Sequence, residues 1–314
     1  MNATVWDEGA VAMRRALLII NRNSRQGDRD LSEVVALLGE RGLATELQYP
    51  RDETQAAALI RSRAAEFDLV ILGGGDGTIS RAIPLLLASG RPLGVLPMGT
   101  ANDLARTLGI PLDLPAAAEA IAGGRVRCID LGRVNGRYFF NAASIGLGVH
   151  VTQLLTYELK QRWGVLAYPR ALLEALATVR PFTARIDCDG TLHLLRSIQI
   201  TVGNGRFYGG GMAVAAEAAI DDQRLDLYSV RPSSLWRFLI VAAAMKLGRH
   251  GRRPEVALLR GRRIAVETSR ARLVTADGEV VSRTPALFEV VPAALPVLVP
   301  EDASQAEGLR RAAQ

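Results

Sequence analysis

Asp68 to Thr78 reads DLVILGGGDGT, and it sets the architecture of the first half of the chain. Asp68 to Leu72 is short and almost continuously apolar, as a strand buried on both faces of a parallel sheet must be. It runs straight into Gly73-Gly74-Gly75-Asp76-Gly77-Thr78, which opens a helical segment. Upstream, Arg15 to Asn21 (RALLIIN) is a second buried-strand run. Leu31 to Arg41 then places Leu31, Val34, Val35 and Leu38 on one helical face, and Gly42 follows as a C-terminal cap. Thr45 to Tyr49 reads as a strand, Glu53 to Glu66 as an alanine-rich helix and Pro92 to Leu96 (PLGVL) as a further strand. Strands alternating with helices imply a doubly wound parallel α/β sheet. Pro84 falls inside the helix after the glycine run and should kink or restart it.

The rhythm changes near Arg127. Tyr138 to Ala142, Ala184 to Cys188, Ser197 to Val202, Leu225 to Val230, Arg263 to Glu267 and Ala271 to Thr275 are short strand-like runs. Turn signals such as Asp189-Gly190 and Asp277-Gly278 separate several of them. Helical insertions are expected at about Val151 to Thr178 and Ser234 to Leu247. Three prolines then fall between Val290 and Pro300, before a polar tail. At 314 residues the chain exceeds what one hydrophobic core usually serves. The expected organisation is an α/β domain over 13–130, a mainly β domain over 131–291, a closing segment over 292–314, and a cleft between the domains.

Composition excludes several classes. Apolar residues make up 49% and charged residues 22%, which rules out a largely disordered chain. The longest apolar stretch, Leu235 to Leu247, is broken by Arg237 and is too short to cross a bilayer. No segment has the layout of a signal peptide. Cys128 and Cys188 alone make neither a disulfide framework nor a zinc site, so a cytoplasmic, reduced protein is expected. Net charge is +6, and Lys246 to Arg263 carries seven basic residues against Glu255, an excess equal to that of the whole chain. Such a patch suits an anionic surface, although a solvated arginine-rich loop has the same composition.

The glycine run is the strongest chemical signal. Gly73, Gly74, Gly75 and Gly77 let backbone N–H groups approach phosphate oxygens, and the helix start adds partial positive charge. No lysine follows as in a Walker A loop, and the spacing is not that of a dinucleotide fingerprint. Asp76 suits a magnesium ion or the proton of a substrate hydroxyl. After the next strand comes a second polar turn, Pro97-Met98-Gly99-Thr100-Ala101-Asn102-Asp103, in which Asn102 or Asp103 could cap a short helix over Leu104 to Leu108. Polar turns at the carboxyl ends of successive parallel strands are where open α/β sheets place ligands. Ala276-Asp277-Gly278-Glu279 reads first as a hairpin turn. Asp221-Asp222, four residues before Asp226, is either a solvated turn or a hard-cation site.

Taken in order, GGGDGT, PMGTANDLAR, DLGRVNGRYFFNAASIGLG, GNGRFYGGG, DDQRLDLYSV and ADGEVVSRTPALFEVVP resemble the diacylglycerol kinase catalytic family, bacterial lipid-kinase type, related to sphingosine and ceramide kinases. The resemblance runs from about Arg15 to Pro300. It implies an N-terminal nucleotide-binding α/β domain, a C-terminal β-sandwich, an active site between them, and a last segment that returns to the first domain. The implied activity is ATP- and Mg²⁺-dependent transfer of a γ-phosphate to a hydroxyl of diacylglycerol or a related lipid. ATP would lie against Gly73, Gly74, Gly75, Asp76, Gly77 and Thr78, with Gly99, Thr100 and Asn102 nearby. Asp76 and Asp103 would help place magnesium and the triphosphate. Glu279 matches the proton acceptor, with Asp277 beside it as an essential acid. Asp222 matches a carboxylate that holds a structural magnesium together with main-chain carbonyls, here those of Ala219 and Arg224.

The chain departs from the family pattern at three places. The opening NPxSG motif stands as Asn21-Arg22-Asn23-Ser24-Arg25; a nucleotide-contacting threonine falls near Tyr49, with Thr54 a weak substitute; and the DDG of the metal loop is Asp221-Asp222-Gln223. The rival readings are a soluble-metabolite kinase of the NAD kinase type and a non-catalytic lipid- or nucleic-acid-binding relative. The late DGE and the GTAND turn argue against the first, and intact Asp76, Asp103, Asp277 and Glu279 against the second. The expected partners are a lipid substrate and an anionic membrane touched peripherally, with no nucleic acid; a homodimer through an exposed edge strand is possible. Trp236, Leu239, Ile240, Ala243 and Leu247 can share one helical face beside the basic stretch, and Trp163, Leu166 and Tyr168 lie in the earlier insertion.

Overall fold

Apolar runs make the centre of the first sheet. β1 (Arg14–Ile20), β3 (Leu69–Gly74) and β4 (Leu93–Pro97) are buried along most or all of their lengths, because helices cover both faces of the sheet. These come from a computed structural model, which describes residues 14–154, 167–205, 207–208, 212–213, 219–232 and 254–301. With β2 (Leu43–Gln48), the parallel strands lie in the order β2-β1-β3-β4. α1 (Ser32–Glu40) packs with α5 (Leu114–Ala122), and α2 (Glu53–Arg63) with α3 (Asp76–Ser89). α4 (Asp103–Leu108) is a short helix between β4 and α5.

Two local expectations shift. α3 runs unbroken through Pro84, so the proline does not restart it. Ile79, Ala82, Ile83 and Leu86 bury that helix on both sides of the proline, and tertiary packing outweighs the lost backbone bond. The α2 helix ends at Arg63, and its final turn tightens into a 3₁₀ turn over Ala64–Glu66.

The second half is a sandwich of antiparallel sheets. One layer contains β5 (Arg125–Val134), β6 (Arg137–Phe139), β8 (Phe182–Cys188), β9 (Thr191–Ser197), β15 (Arg263–Thr268) and part of β18 (Ala286–Val299). The other, with β7 (Ala142–Gly146), β10 (Gln199–Gly203), β13 (Leu225–Val230), β14 (Val256–Gly261), β16 (Leu273–Ala276) and β17 (Glu279–Arg283), has the order β14-β13-β10-β7-β16-β17. β11 (Phe207–Tyr208) and β12 (Met212–Ala213) form a small separate ribbon. Alternation is clear in β8, where Phe182, Ala184, Ile186 and Cys188 point into the core and Thr183 and Arg185 point out. α6 (Leu147–Leu154) and α7 (Ala167–Thr178) pack over the second layer through Val151, Ala171 and Ala175. The rest of the first helical insertion and the whole of 233–253, with Trp163, Leu166, Trp236 and most of the basic stretch, lie outside the described residues.

The two halves share strands. β18 is fourteen residues long, although Pro292 and Pro296 hid it from the sequence reading, because proline removes a ladder donor. Its first part pairs antiparallel with β15, its last part lies beside β4 through Val297, and β5 pairs with it along both parts. A bulge between Val291 and Leu295, with Ala293 at φ 46°, bends the strand between the two. The buried Asp130 side chain of β5 holds that bend by accepting the Ala293 N–H at 2.7 Å. Phe288, also on β18, is fully buried in the sandwich core. Phe288→Ala is expected to cost about 3–5 kcal/mol, read as a fall in the urea midpoint with the native fold retained.

Candidate functional site

Backbone crowding shapes the glycine turn. Gly75 precedes α3 in an extended conformation. A methyl group on Gly73 would lie 2.3 Å from Cδ1 of Ile20 and 2.7 Å from the Met98 sulfur. One on Gly74 would lie 2.7 Å from the Thr78 side chain. One on Gly99 would lie 2.4 Å from the Gly75 Cα, so the two polar turns meet through their glycines. Gly77 alone of the run has room for a methyl group, which would rest in ordinary contact with the Arg81 guanidinium at 3.5 Å. Asn21, at the end of β1, donates from its side chain to the Thr78 hydroxyl at 2.9 Å and from its backbone to the Gly73 carbonyl at 2.9 Å.

Asp76 joins the two turns. Its carboxylate accepts the backbone N–H groups of Asp103 and Leu104, both at 3.1 Å, and so caps α4 from 27 residues away. Asn102, expected as a cap, instead braces its own loop in a left-handed conformation: it accepts the Gly99 N–H at 2.9 Å and donates to the Gly99 and Pro97 carbonyls. Asp103 is buried, and Thr100 stands exposed at the turn's tip.

The Asp277-Gly278 turn is a hairpin turn between β16 and β17, with φ 46° and 86°. It is also fastened to both domains. Asp277 accepts the N–H groups of Phe140, Asn141 and Ala142 and the hydroxyl of Ser80 on α3, all at 3.0–3.3 Å. Burial pushes its carboxyl up to about 6, against the pull of these four donors. Glu279 is half exposed and pairs with Arg81 of α3, whose guanidinium also pairs with Glu53 of α2 at 2.7 Å.

A cleft of about 570 Å³ opens at the carboxyl ends of β1 and β3, between α2 and α3. Asn21, Asn23, Asp52, Glu53, Thr54, Thr78 and Arg81 line its polar side, and Ile19, Ile60, Leu72 and Leu85 its apolar side. β1 and β3 are neighbours whose following helices, α1 and α3, belong to opposite faces, so this is the switch point of the sheet. Two of the departures from the family pattern meet beside it, with the Arg22 guanidinium over the Tyr49 ring at 4.3 Å.

The 219–224 loop is closed by protein groups. Asp222 accepts the Arg224 N–H at 3.0 Å and pairs with Arg260, which also reaches Asp226 at 3.5 Å. Asp221 pairs with Arg127 at 2.6 Å. Gln223, at φ 60°, donates its N–H to Asp130 at 2.5 Å. Ala219 is buried. Among the described residues no group of three or more His, Cys, Asp or Glu could hold a metal ion. With a guanidinium already neutralising Asp222, the loop as it stands does not fit the implied structural magnesium.

Sequence reasoning did not single out Ser80, Arg81 or Asp130. The first two follow the glycine turn by one helical turn, and the N-terminal lean of helical side chains could have flagged them. Next to the Asp277 anchor, Asn141 and Asn204 carry buried side-chain oxygens with no hydrogen-bond partner among the described residues. Asn141 lies in DLGRVNGRYFFNAASIGLG and Asn204 in GNGRFYGGG.

Two outcomes follow. Gly99→Ala should lower stability by about 1–3 kcal/mol, whereas Gly77→Ala should leave the thermal midpoint unchanged or raised, because only the first forces the turns apart. For Asp277, the folded carboxyl titrates near 6 against an ordinary 3.8. The folded state therefore holds the proton more tightly, and this contribution is full below the ordinary value and lost as pH rises through 6. Asp277→Asn should remove that fall from urea unfolding curves taken between pH 4 and 7.

Comparison with known proteins matches both halves of the chain. The diacylglycerol kinase catalytic domain matches residues 15–134, and the YegS C-terminal NAD kinase beta sandwich-like domain matches residues 141–299. A diacylglycerol kinase of Bacillus subtilis is 32% identical over 301 residues, covering 93% of this chain and 99% of that protein. A Pseudomonas aeruginosa protein named "Probable lipid kinase YegS-like" is 33% identical over 290 residues, covering 90% and 94%. The crystal structure of a diacylglycerol kinase from Bacillus anthracis superposes with a TM-score of 0.74 at 24% identity, over 92% of this chain and 98% of that one, and shares the fold. With both halves matched and the glycine turn facing the acidic hairpin, the chain belongs to the diacylglycerol kinase family and is a kinase.

Proposed function

We propose that the chain transfers the γ-phosphoryl group of ATP, taken as its magnesium complex, to a hydroxyl of diacylglycerol or a related lipid. The observation that carries this reading is the seating of the Asp277-Gly278-Glu279 turn on α3. It brings the acidic hairpin of the sandwich against the glycine turn of the α/β domain. In this reading the nucleotide occupies the cleft beside Asn21, Thr78 and Gly77, with its phosphates toward the start of α3. Asp76 and Asp103 stand behind the turn, and Asp76 keeps lone pairs for the magnesium that accompanies the triphosphate.

Phosphoryl transfer asks the protein for alignment and charge neutralisation more than for covalent chemistry. The acceptor oxygen attacks the γ-phosphorus while the bond to the β-phosphate oxygen breaks and ADP leaves. Glu279 takes the hydroxyl proton, help worth about 10²- to 10⁴-fold in rate. Asp277, anchored by four donors, fixes the hairpin that presents Glu279. No helix among the described residues is long and apolar enough to cross a membrane. The reading also includes a cytoplasmic enzyme that meets its substrate by peripheral contact with an anionic leaflet, for which the net charge of +6 is suited.

The test is incubation with γ-labelled ATP, Mg²⁺ and a lipid panel in detergent micelles, with NAD as a soluble acceptor. Wild type should label a lipid, and Glu279→Gln should lose about 10²-fold or more of the turnover with unchanged thermal unfolding. Labelled NADP without labelled lipid would replace this reading with the soluble-metabolite one.

A further inference from the structure

The glycine turn has no lysine of its own, and the cleft beside it is short of positive charge. Among the described residues that line the cleft, Asp52 and Glu53 are acids and Arg81 is the cation. Among the residues that line the cleft, a triphosphate brought there meets the start of α3 and one guanidinium. That guanidinium stands over Gly77, 3.5 Å from where a methyl group would be, so it lies at the mouth of the turn. It is held there by Glu53 on one side and Glu279 on the other. All three side chains are substantially exposed, at 37%, 65% and 48%. Ion pairs this wet are weak and exchange readily for a more highly charged partner.

We infer that Arg81 is a further catalytic residue, one that binds the terminal phosphate of the nucleotide and in doing so releases Glu279. The inference rests on the kinase reading above. Before nucleotide arrives, Arg81 occupies the carboxylate that is to accept the proton. The terminal phosphate carries more charge than one carboxylate and matches the guanidinium fork in two-point contact. Arg81 turns to it, and Glu279 becomes free for the acceptor hydroxyl. The base is thus uncovered after the phosphoryl donor is in place, which makes nucleotide the first substrate to bind productively. Glu53 keeps the guanidinium aimed through the exchange.

Equilibrium binding separates this inference from the choice of acceptor, because it needs no lipid. A non-hydrolysable ATP analogue and ADP are titrated, with Mg²⁺, into the full chain as wild type, Arg81→Ala, Arg81→Lys, Glu279→Gln and the Arg81→Ala/Glu279→Gln double variant. Unfolding midpoints are read alongside. Arg81→Ala should weaken the ATP analogue by about tenfold or more while ADP changes little, and Arg81→Lys should recover part of the loss. Glu279→Gln should bind the ATP analogue more tightly than wild type, since it removes the competitor for Arg81, and the gain should vanish in the double variant. Equal weakening of ATP analogue and ADP, or an unchanged Glu279→Gln affinity, would overturn the role of Arg81 and leave the kinase reading standing. Wild type that binds neither nucleotide would overturn both.

Discussion

The antiparallel pairing of β5 with β18 is the contact on which the rest of the molecule depends. Each strand begins in one domain and ends in the other, so the parallel sheet and the sandwich are held by one ladder. The bend in β18 turns the Ala293 N–H out of the ladder, and the buried Asp130 carboxylate accepts it. The same carboxylate accepts the Gln223 N–H, tying the 219–224 loop to the ladder. The hydrophobic core of the first domain extends onto Phe140 and Ile220, residues that lie on the far side of β5 in sequence. The two domains are therefore joined through a continuous sheet.

On that frame, the glycines of the two polar turns serve packing as well as ligand approach. Gly75 and Gly99 touch backbone to backbone, and each oxygen of the Asp76 carboxylate accepts one backbone N–H at the start of α4. Gly77 is the residue left open beside the cleft. A motif that reads as a phosphate cradle is thus also a joint between successive turns. The two demands coincide because each excludes a Cβ.

Charge is distributed by the same economy. Asp277 is fastened by four donors in a half-buried place, where losing a partner is costly. The Arg81 pairs with Glu53 and Glu279 are wet and exchangeable. One acid of the hairpin is a fixed post and the other is held loosely by a cation. The 219–224 loop follows a third pattern, in which Arg127 and Arg260 neutralise adjacent carboxylates.

Local sequence determined the elements that local physics controls. Buried parallel strands announce themselves as apolar runs, as Leu69 to Leu72 does. β8 shows alternation, and Asp277-Gly278 declares a hairpin because few other pairs accept its dihedral angles. Motif order carried the family, and with it which acids to watch. Tertiary structure alone decided the rest. β18 was hidden because its prolines interrupt a ladder that β4, β5 and β15 nevertheless complete from outside. The cap of α4 comes from Asp76 rather than its neighbours, since hydrogen bonds depend on distance in space and not along the chain. Arg81 acquired a partner 198 residues away, and no local pattern encodes that meeting.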